Sequence, residues 1–252
     1  MKSRNFKRSN SGQVIVITAL MVALVLLSTA IFIIETEKDV PTDAIDTTSI
    51  LSTYQEAARN TLISALANVT NGGSSGALTT DLNELKSAIA SNSYQSILQT
   101  NFTASTDAPY RNGICISWGS NGQGISSACI LVEIASTGTT SASTSEYVVN
   151  VTSEMNLSGN SLQLDNSTQV NLTVKIQNEG SPALAQNLSF YYENAAETWT
   201  KVNSPILNDF GSGTYAVSFT SETDQLFFPL HVSAVCQDQR GIVVAANATC
   251  TG

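Results

Sequence analysis

Charged residues are scarce in this chain of 252 residues, where Asp, Glu, Lys and Arg together make up 12%. The chain has one histidine, His231, and its four cysteines form no Cys-x-x-Cys or Cys/His cluster, which argues against the common zinc sites. It also lacks HExxH, GxSxG and the Walker and dinucleotide-binding glycine patterns. These absences predict a protein without cofactor, metal or catalytic residues, with His231 in a structural role.

Basic residues are also few, and the two signs of charge are separated along the chain. Lys2, Arg4, Lys7 and Arg8 precede an apolar run, whereas all 20 acids and the other 7 of the 11 bases lie from Glu35 onward. An acidic body is a poor match for phosphate backbones, so we expect no nucleic-acid partner. A basic head before an apolar run follows the positive-inside rule, which predicts a cytoplasmic N-terminus and an extracellular body.

The apolar run covers residues 14–34 and contains no charge and no proline. At about 1.5 Å per residue it makes about 32 Å of helix, enough to cross a hydrocarbon layer of about 30 Å. This predicts a single-pass protein of the cell membrane whose helix contacts lipid. Two alternatives stay open: a buried core helix, and a signal peptide cut after Ala30, whose apolar part would be longer than usual.

The stretch SGQVIVITAL, residues 11–20, resembles the N-termini of type IV pilin-like and Tad-type pseudopilin proteins. In that family a basic leader ends in Gly and the mature helix opens with Gln, which implies peptidase cleavage between Gly12 and Gln13. The chain departs from the family pattern at Ser11, where a base is usual, and at Ile17, where a Glu is frequent. The resemblance implies that copies of the chain assemble into a filament, with a lipid anchor as the alternative.

Two amphipathic stretches follow a short acidic link. Apolar residues three or four apart predict a helix from Asp46 or Thr47 to about Asn68. A capping-box pattern, Asp81 with Glu84, predicts the start of a second helix. With NGGSSG between them, the two helices are expected to pair as an antiparallel helical hairpin.

From Gly113 onward the apolar period changes from about 3.6 to 2, which predicts strands. Short strands separated by turn clusters predict an antiparallel sandwich at the C-terminus. Trp199, GSGTY (residues 211–215) and DQRGIVV resemble the immunoglobulin-like domains of prokaryotic, and in particular archaeal, surface proteins. Ser and Thr, which number 33 and 28, are typical of exposed β-structure.

The four cysteines all lie beyond the apolar run. Cys115 and Cys129 flank a turn-rich tip, which predicts a disulfide that closes the hairpin and contributes about 3 kcal/mol. By elimination Cys236 pairs with Cys250, although a simple hairpin turning at Gln239 would hold them about 23 Å apart. In that geometry they would not bond.

Eight Asn-x-Ser/Thr sequons predict N-glycosylation if the body is exported. They are Asn68, Asn101, Asn150, Asn156, Asn166, Asn171, Asn187 and Asn247.

Together these features predict an α+β fold: an N-terminal transmembrane helix, a helical hairpin, then mainly antiparallel β ending in an immunoglobulin-like sandwich. The predicted parts are a cytoplasmic leader 1–13, a transmembrane or pilin-like helix 14–34, a link and helical hairpin 35–110, a β-hairpin and Ser/Thr-rich linker 111–144, and the sandwich 145–252. The predicted function is that of a structural or adhesive envelope protein, membrane-anchored or pilin-like and without catalysis. The alternatives are a surface hydrolase of envelope polymers and a ligand-binding ectodomain.

Overall fold

A computed structural model of the chain describes residues 47–91, 98–119, 121–137, 142–164, 167–194, 198–221 and 229–251. The chain forms two compact units, Met1–Ser52 and Thr53–Gly252. Of the first unit only residues 47–52 are described, and they begin a helix.

Strands dominate the described residues. The helices are α1 (Thr47–Thr70) and α2 (Ala77–Ala90). The strands are β1 (Leu98–Ala104), β2 (Ile114–Trp118), β3 (Gln123–Thr137), β4 (Ala142–Leu164), β5 (Ser167–Asn178), β6 (Ser181–Pro182), β7 (Ala185–Glu193), β8 (Trp199–Lys201), β9 (Ile206–Asp209), β10 (Thr214–Ser221), β11 (Leu230–Asp238) and β12 (Val243–Cys250).

The strands form two sheets. The larger has eight strands in the order β1-β3-β4-β5-β10-β9, with β2 also paired to β3 and β6 to β5. The smaller has four strands in the order β12-β11-β7-β8. Every pair of named strands is antiparallel. The fold is therefore mostly antiparallel β, which corrects the predicted α+β class.

The core lies between the two sheets, because their strands alternate apolar and polar residues. On β5, Val170, Leu172 and Val174 are 0 to 2% exposed and face the core, while the residues between them face outward. Val232 and Ala234 of β11 are fully buried in the same cluster from the other side. The two sheets thus pack as the layers of a β-sandwich.

Helix α1 presents one apolar stripe. Ala58, Leu62 and Leu66 lie four residues apart and are fully buried, whereas Arg59 and Asn60 between them are exposed. Most of its stability therefore comes from packing rather than from helix propensity.

The predicted helical hairpin is wrong. Helix α2 lies against strand β1, and the C-terminal end of α1 contacts the turn between β11 and β12. Helix α2 also begins at Ala77 after the N-cap Gly76, four residues before the predicted Asp81. Its first turn buries Ala77 and Leu78, so apolar packing and not a capping box defines where it starts.

The predicted transmembrane helix, 14–34, lies outside the described residues. Among the residues that are described, no helix has the length and apolar character needed to cross a membrane. The predictions of a transmembrane helix and of a single-pass membrane protein with a cytoplasmic N-terminus and an extracellular body are corrected on this finding.

The two longest strands, β3 and β4, lie side by side between β1 and β5 in the larger sheet. β3 has 15 residues and β4 has 23, and they pair without interruption from Gln123 with Asn156 to Thr137 with Ala142. β4 therefore runs through the boundary predicted at 144/145. Of the Ser/Thr-rich segment predicted as a linker, residues 135–137 belong to β3 and residues 142–144 belong to β4.

Candidate functional site

A groove lies on the outer face of the larger sheet, over strands β4, β5, β10 and β9. It has a volume of about 570 Å³ and is lined by small polar and aliphatic residues of these four strands. The alternation that buries the apolar residues of β5 turns Asn171 and Thr173 outward. The groove is therefore a direct product of the strand pattern.

The strand register aligns the outward residues in rows. One row runs Ser158, Thr173, Ala216 and Asn208 across the four strands. The next row runs Asn160, Asn171, Ser218 and Ile206. Ala216 and Ser218 on β10 have short side chains, which leaves the middle of the face lower than its borders.

Apolar side chains border this groove on the edge strand side. Ile206 is 67% exposed and Phe210, just beyond β9, is 65% exposed. The backbone N–H of Phe210 donates to the carbonyl of Thr214, so Phe210 continues the row formed by Asn156, Lys175 and Thr214. A second depression of about 290 Å³ adjoins the first and shares Ser218 with it.

The chemistry of the groove is neutral and bifunctional. All of its lining side chains are uncharged. Asn amides and Ser or Thr hydroxyls both donate and accept hydrogen bonds, which matches ligands rich in hydroxyl groups. The exposed ring of Phe210 adds an apolar face beside these groups.

A separate ion cluster joins the helical part to the sandwich. Asp238 is fully buried; its Oδ1 accepts the backbone N–H groups of Arg240 at 2.9 Å and Ile242 at 3.0 Å, and its Oδ2 accepts Nε of Arg240 at 2.9 Å. Arg240 Nη1 also lies 2.6 Å from Glu179 Oε1, and Arg59 of α1 lies 3.1 Å from Glu179 Oε2. No sequence pattern predicted this cluster. Its only local signal is DQRG, which is typical of a turn.

All four cysteines are free thiols, so neither predicted disulfide is formed. Cys236 faces Val244, and Cys250 faces Leu230 at the other end of the β11–β12 ladder. Leu230 and Cys236 are six positions apart on β11, about 20 Å at strand rise, which exceeds the reach of a disulfide. The simple hairpin that the sequence indicated is present, and it rules the pair out.

The other pair fails by a smaller margin. Cys115 faces Ser127, and Cys129 stands two residues further along β3. Such diagonal neighbours are separated by about 7 to 8 Å, just beyond disulfide geometry. Cys129 and Cys236 are buried, as is Cys250, and Cys115 is half-buried.

Burial makes three of these thiols poor nucleophiles. Loss of solvation, helped by the charge of Asp238, raises the pKa of Cys236 to about 12. Loss of solvation raises the pKa of Cys250 to about 11. Desolvation also raises the pKa of Cys129, with a lowering contribution from a hydrogen bond to Ser105 and a raising one from Asp107. These groups stay protonated at neutral pH and are unsuited to nucleophilic or metal chemistry.

Two predicted glycosylation sites lie on the groove face. Asn156 borders it, and Asn171 lines it. A glycan on Asn171 would fill the groove, so modification of this residue and ligand binding there exclude each other.

The remaining sequons are spread over other surfaces. Asn68 and Asn187 are exposed, and Nδ2 of Asn187 donates to Gln237. Asn101 donates to Glu133, and the backbone of Asn247 pairs with Gly119 and Gly122. Asn150 is exposed, but its Oδ1 accepts the hydroxyls of Ser127 and Thr152. Asn166 lies outside the described residues, as do the predicted cleavage residues Gly12 and Gln13.

His231 lies on the outer face of the smaller sheet, with 52% of its side chain exposed. Its Nδ1 is 3.3 Å from Glu193 Oε2, and Thr249 faces it on β12. In the described part of the chain no hydroxyl or thiol hydrogen-bonds to the imidazole. A carboxylate beside a histidine fixes the orientation of the imidazole. Without a hydroxyl or thiol bonded to that imidazole, the pair supplies no activated nucleophile.

No group of three or more His, Cys, Asp or Glu side chains suited to a metal ion occurs within the described ranges. Searches against family models, curated proteins and solved structures find no match to the chain. The groove on the larger sheet is therefore the site whose geometry carries the most functional information.

Proposed function

We propose that the protein is a non-catalytic adhesive module that binds neutral polysaccharide in the groove of its larger sheet. The observation that carries the proposal is the pair of rows of uncharged amides and hydroxyls across four strands, bordered by the exposed ring of Phe210. Sugar hydroxyls donate and accept at once, as do the Asn and Thr side chains that line this groove.

The shape of the site favours a chain-like ligand over a compact one. The groove of about 570 Å³ continues into the depression of about 290 Å³ through Ser218. An open, shallow face of this kind suits a polymer that lies across the strands. Enclosed, mostly apolar cavities are instead typical of small-molecule and cofactor sites.

The electrostatics favour an uncharged polymer. The side chains that line the groove bear no charge, and Lys175, in the bordering row that Phe210 continues, lies outside this lining. The overall charge of −9 would repel polyanions at low ionic strength.

Two predictions from the sequence belong to this proposal. The immunoglobulin-like topology of the sandwich remains a prediction, and so does pilin-like cleavage between Gly12 and Gln13. Both are compatible with an adhesive role, since each would present the groove on an assembled or exported module.

Affinity electrophoresis in gels containing a neutral polysaccharide tests the proposal. We expect dextran or mannan to retard the full chain, and polygalacturonate to leave its mobility unchanged. Asn208→Ala removes an amide that lines the groove and Phe210→Ala removes the ring at its border, and each should weaken binding about two- to tenfold. Asn187→Ala, an exposed amide on the smaller sheet, is the matched control. Equal binding by all three variants, or binding only to the polyanion, would overturn the proposal.

A further inference from the structure

The N-terminal half of β4 is an open sheet edge. Beyond Ser153 the strand pairs with β5, whereas residues 142–152 pair only with β3 among the described strands. Thr152 shows which way the free groups point. Its N–H donates to Glu179 Oε1 at 3.0 Å, and its carbonyl accepts from Arg240 Nη2 at 2.9 Å, both on the side away from β3.

Because strand residues alternate, the main chains of Asn150, Val148 and Glu146 point to the same side as Thr152. No described residue hydrogen-bonds to them there. Open edges of this length are usually blunted by Lys, Pro or a bulge. This one carries none of these, and Val148 at its centre is 65% exposed.

The side chains beside Val148 are complementary. Asn150 Oδ1 accepts the hydroxyls of Ser127 at 2.9 Å and Thr152 at 3.3 Å, and these bonds fix the amide with its Nδ2 donor unused by any described residue. Glu146 faces Glu133 across the β3–β4 ladder, where like charges repel. Glu146 thus lacks a donor among the described residues, and the unused Nδ2 donor of Asn150 lies four residues further along the same strand.

We propose that this edge pairs with the same edge of a second copy of the chain, antiparallel, with Val148 facing its own counterpart. In that register each Glu146 faces Asn150 of the partner, so the unused amide donors meet the unpaired carboxylates twice by symmetry. Val148 is covered by its counterpart, and the open main-chain groups of both strands bond to each other. The result is one continuous sheet across two molecules.

The four nearest symmetric registers are worse. Pairing centred on Tyr147 sets each Glu146 opposite Val148 and leaves the Asn150 amides without a carboxylate. Pairing centred on Val149 sets Glu146 opposite Thr152, whose main chain is already bonded. Pairing centred on Glu146 sets two carboxylates directly opposite each other, which destabilises a ladder. Pairing centred on Asn150 sets Val148 opposite Thr152, whose main chain is already bonded to Glu179 and Arg240. The register centred on Val148 therefore specifies a closed dimer.

Sedimentation equilibrium of the full chain tests the proposal, in a mild detergent that keeps the apolar residues 14–34 from associating. We expect a monomer–dimer equilibrium. Val148→Pro removes an outward N–H without touching the ladder to β3 and should weaken dimerisation about tenfold or more. Leu207→Pro makes the same change at an outward position of β9, an edge strand at the far end of the larger sheet, and should leave dimerisation unchanged.

Cysteine cross-linking tests the register even if the proline variant folds poorly. Val148→Cys places two thiols opposite each other and should give a disulfide-linked dimer under mild oxidation. Glu146→Cys places them four residues apart, about 13 Å, and should not. A monomeric chain at 100 μM, dissociation by Leu207→Pro instead of Val148→Pro, or equal cross-linking at both positions would overturn the proposal. So would cross-linking to a different protein alone.

Discussion

Arg240 Nη1 lies 2.6 Å from Glu179 Oε1, and this contact connects the turn between β11 and β12 to the turn between β5 and β6. Glu179 has a φ of +48°, a conformation that non-glycine residues seldom adopt. Glu179 follows the last residue of β5, and its carboxylate accepts the N–H of Thr152. This side-chain hydrogen bond takes the place of a further bond between the β4 and β5 main chains. The two turns are thus held in register by charge where the ladder ends.

The buried carboxylate of Asp238 is the centre of this cluster, and we expect Asp238→Ala to be severely destabilising. The change leaves the guanidinium of Arg240 without its buried partner and two backbone N–H groups unsatisfied. The free energy of unfolding should fall by about 3 to 5 kcal/mol, as measured by urea denaturation. Asp209→Ala, which loses one exposed bond to Gly211, is the control and should cost less than about 1 kcal/mol. Equal losses would show that the buried cluster contributes nothing special.

Gly124 of β3 lies close against the backbone of β12. A Cβ added there would lie 2.0 Å from the carbonyl oxygen of Ala245, a backbone atom that cannot move aside alone. We expect Gly124→Ala to lower the thermal midpoint sharply or to prevent folding. Gly76→Ala, where the nearest atom is 3.6 Å away on a flexible serine, should leave the midpoint within a few degrees of the parent. A mild effect at Gly124 would mean that the sheets can separate there.

Thiol labelling should separate one cysteine from the other three. Cys115 is half-buried, whereas Cys129, Cys236 and Cys250 are buried, protonated and hidden from reagent. Ellman's reagent should modify one thiol rapidly in the native protein and four in urea. Cys115→Ser should abolish the rapid phase. Fewer than four thiols in urea without reductant would reveal a disulfide and contradict the free-thiol state.

The buried thiol of Cys236 predicts how the free energy of unfolding changes at alkaline pH. Burial raises the pKa of Cys236 to about 12, from an ordinary value of 9.0, so the unfolded state ionises first as pH rises. The stabilisation is fully present below pH 9 and is lost progressively as pH rises toward 12. At pH 10.5 the loss from this thiol is about 2 kcal/mol relative to pH 8.

The matched variant for this effect is Cys236→Ala. Urea midpoints of the parent and variant at pH 8 and pH 10.5 isolate Cys236 from other alkaline titrations. The parent should lose more stability than the variant between the two pH values. Parallel losses would show that the thiol ionises alike in both states.

The local patterns of the sequence predicted much of the chain because each reports one physical preference. The stripe through Ala58, Leu62 and Leu66 indicated α1, and alternation from Gly113 onward indicated the β-rich remainder. The hairpin turning at Gln239 followed from turn chemistry alone. That geometry already opposed a bond between Cys236 and Cys250, and elimination was the weaker argument.

The groove and the ion cluster could not be predicted because both depend on register between distant strands. Asn208 and Thr173 line the same groove only because β10 lies between β9 and β5. No local pattern specifies that strand order. Glu179 and Arg240 are 61 residues apart in sequence. The helical hairpin failed for the same reason: α2 had an apolar face, but the sequence did not say that β1 would cover it.

The uninterrupted ladder between β3 and β4 has a mechanical consequence. A pull along the length of β4 loads all of its hydrogen bonds to β3 together, from Gln123 with Asn156 to Thr137 with Ala142. A pull across the ladder opens them one at a time. We therefore expect the force needed to unfold the molecule to be much higher for a pull along β4 than for a pull at right angles to it. Its mechanical resistance is thus anisotropic.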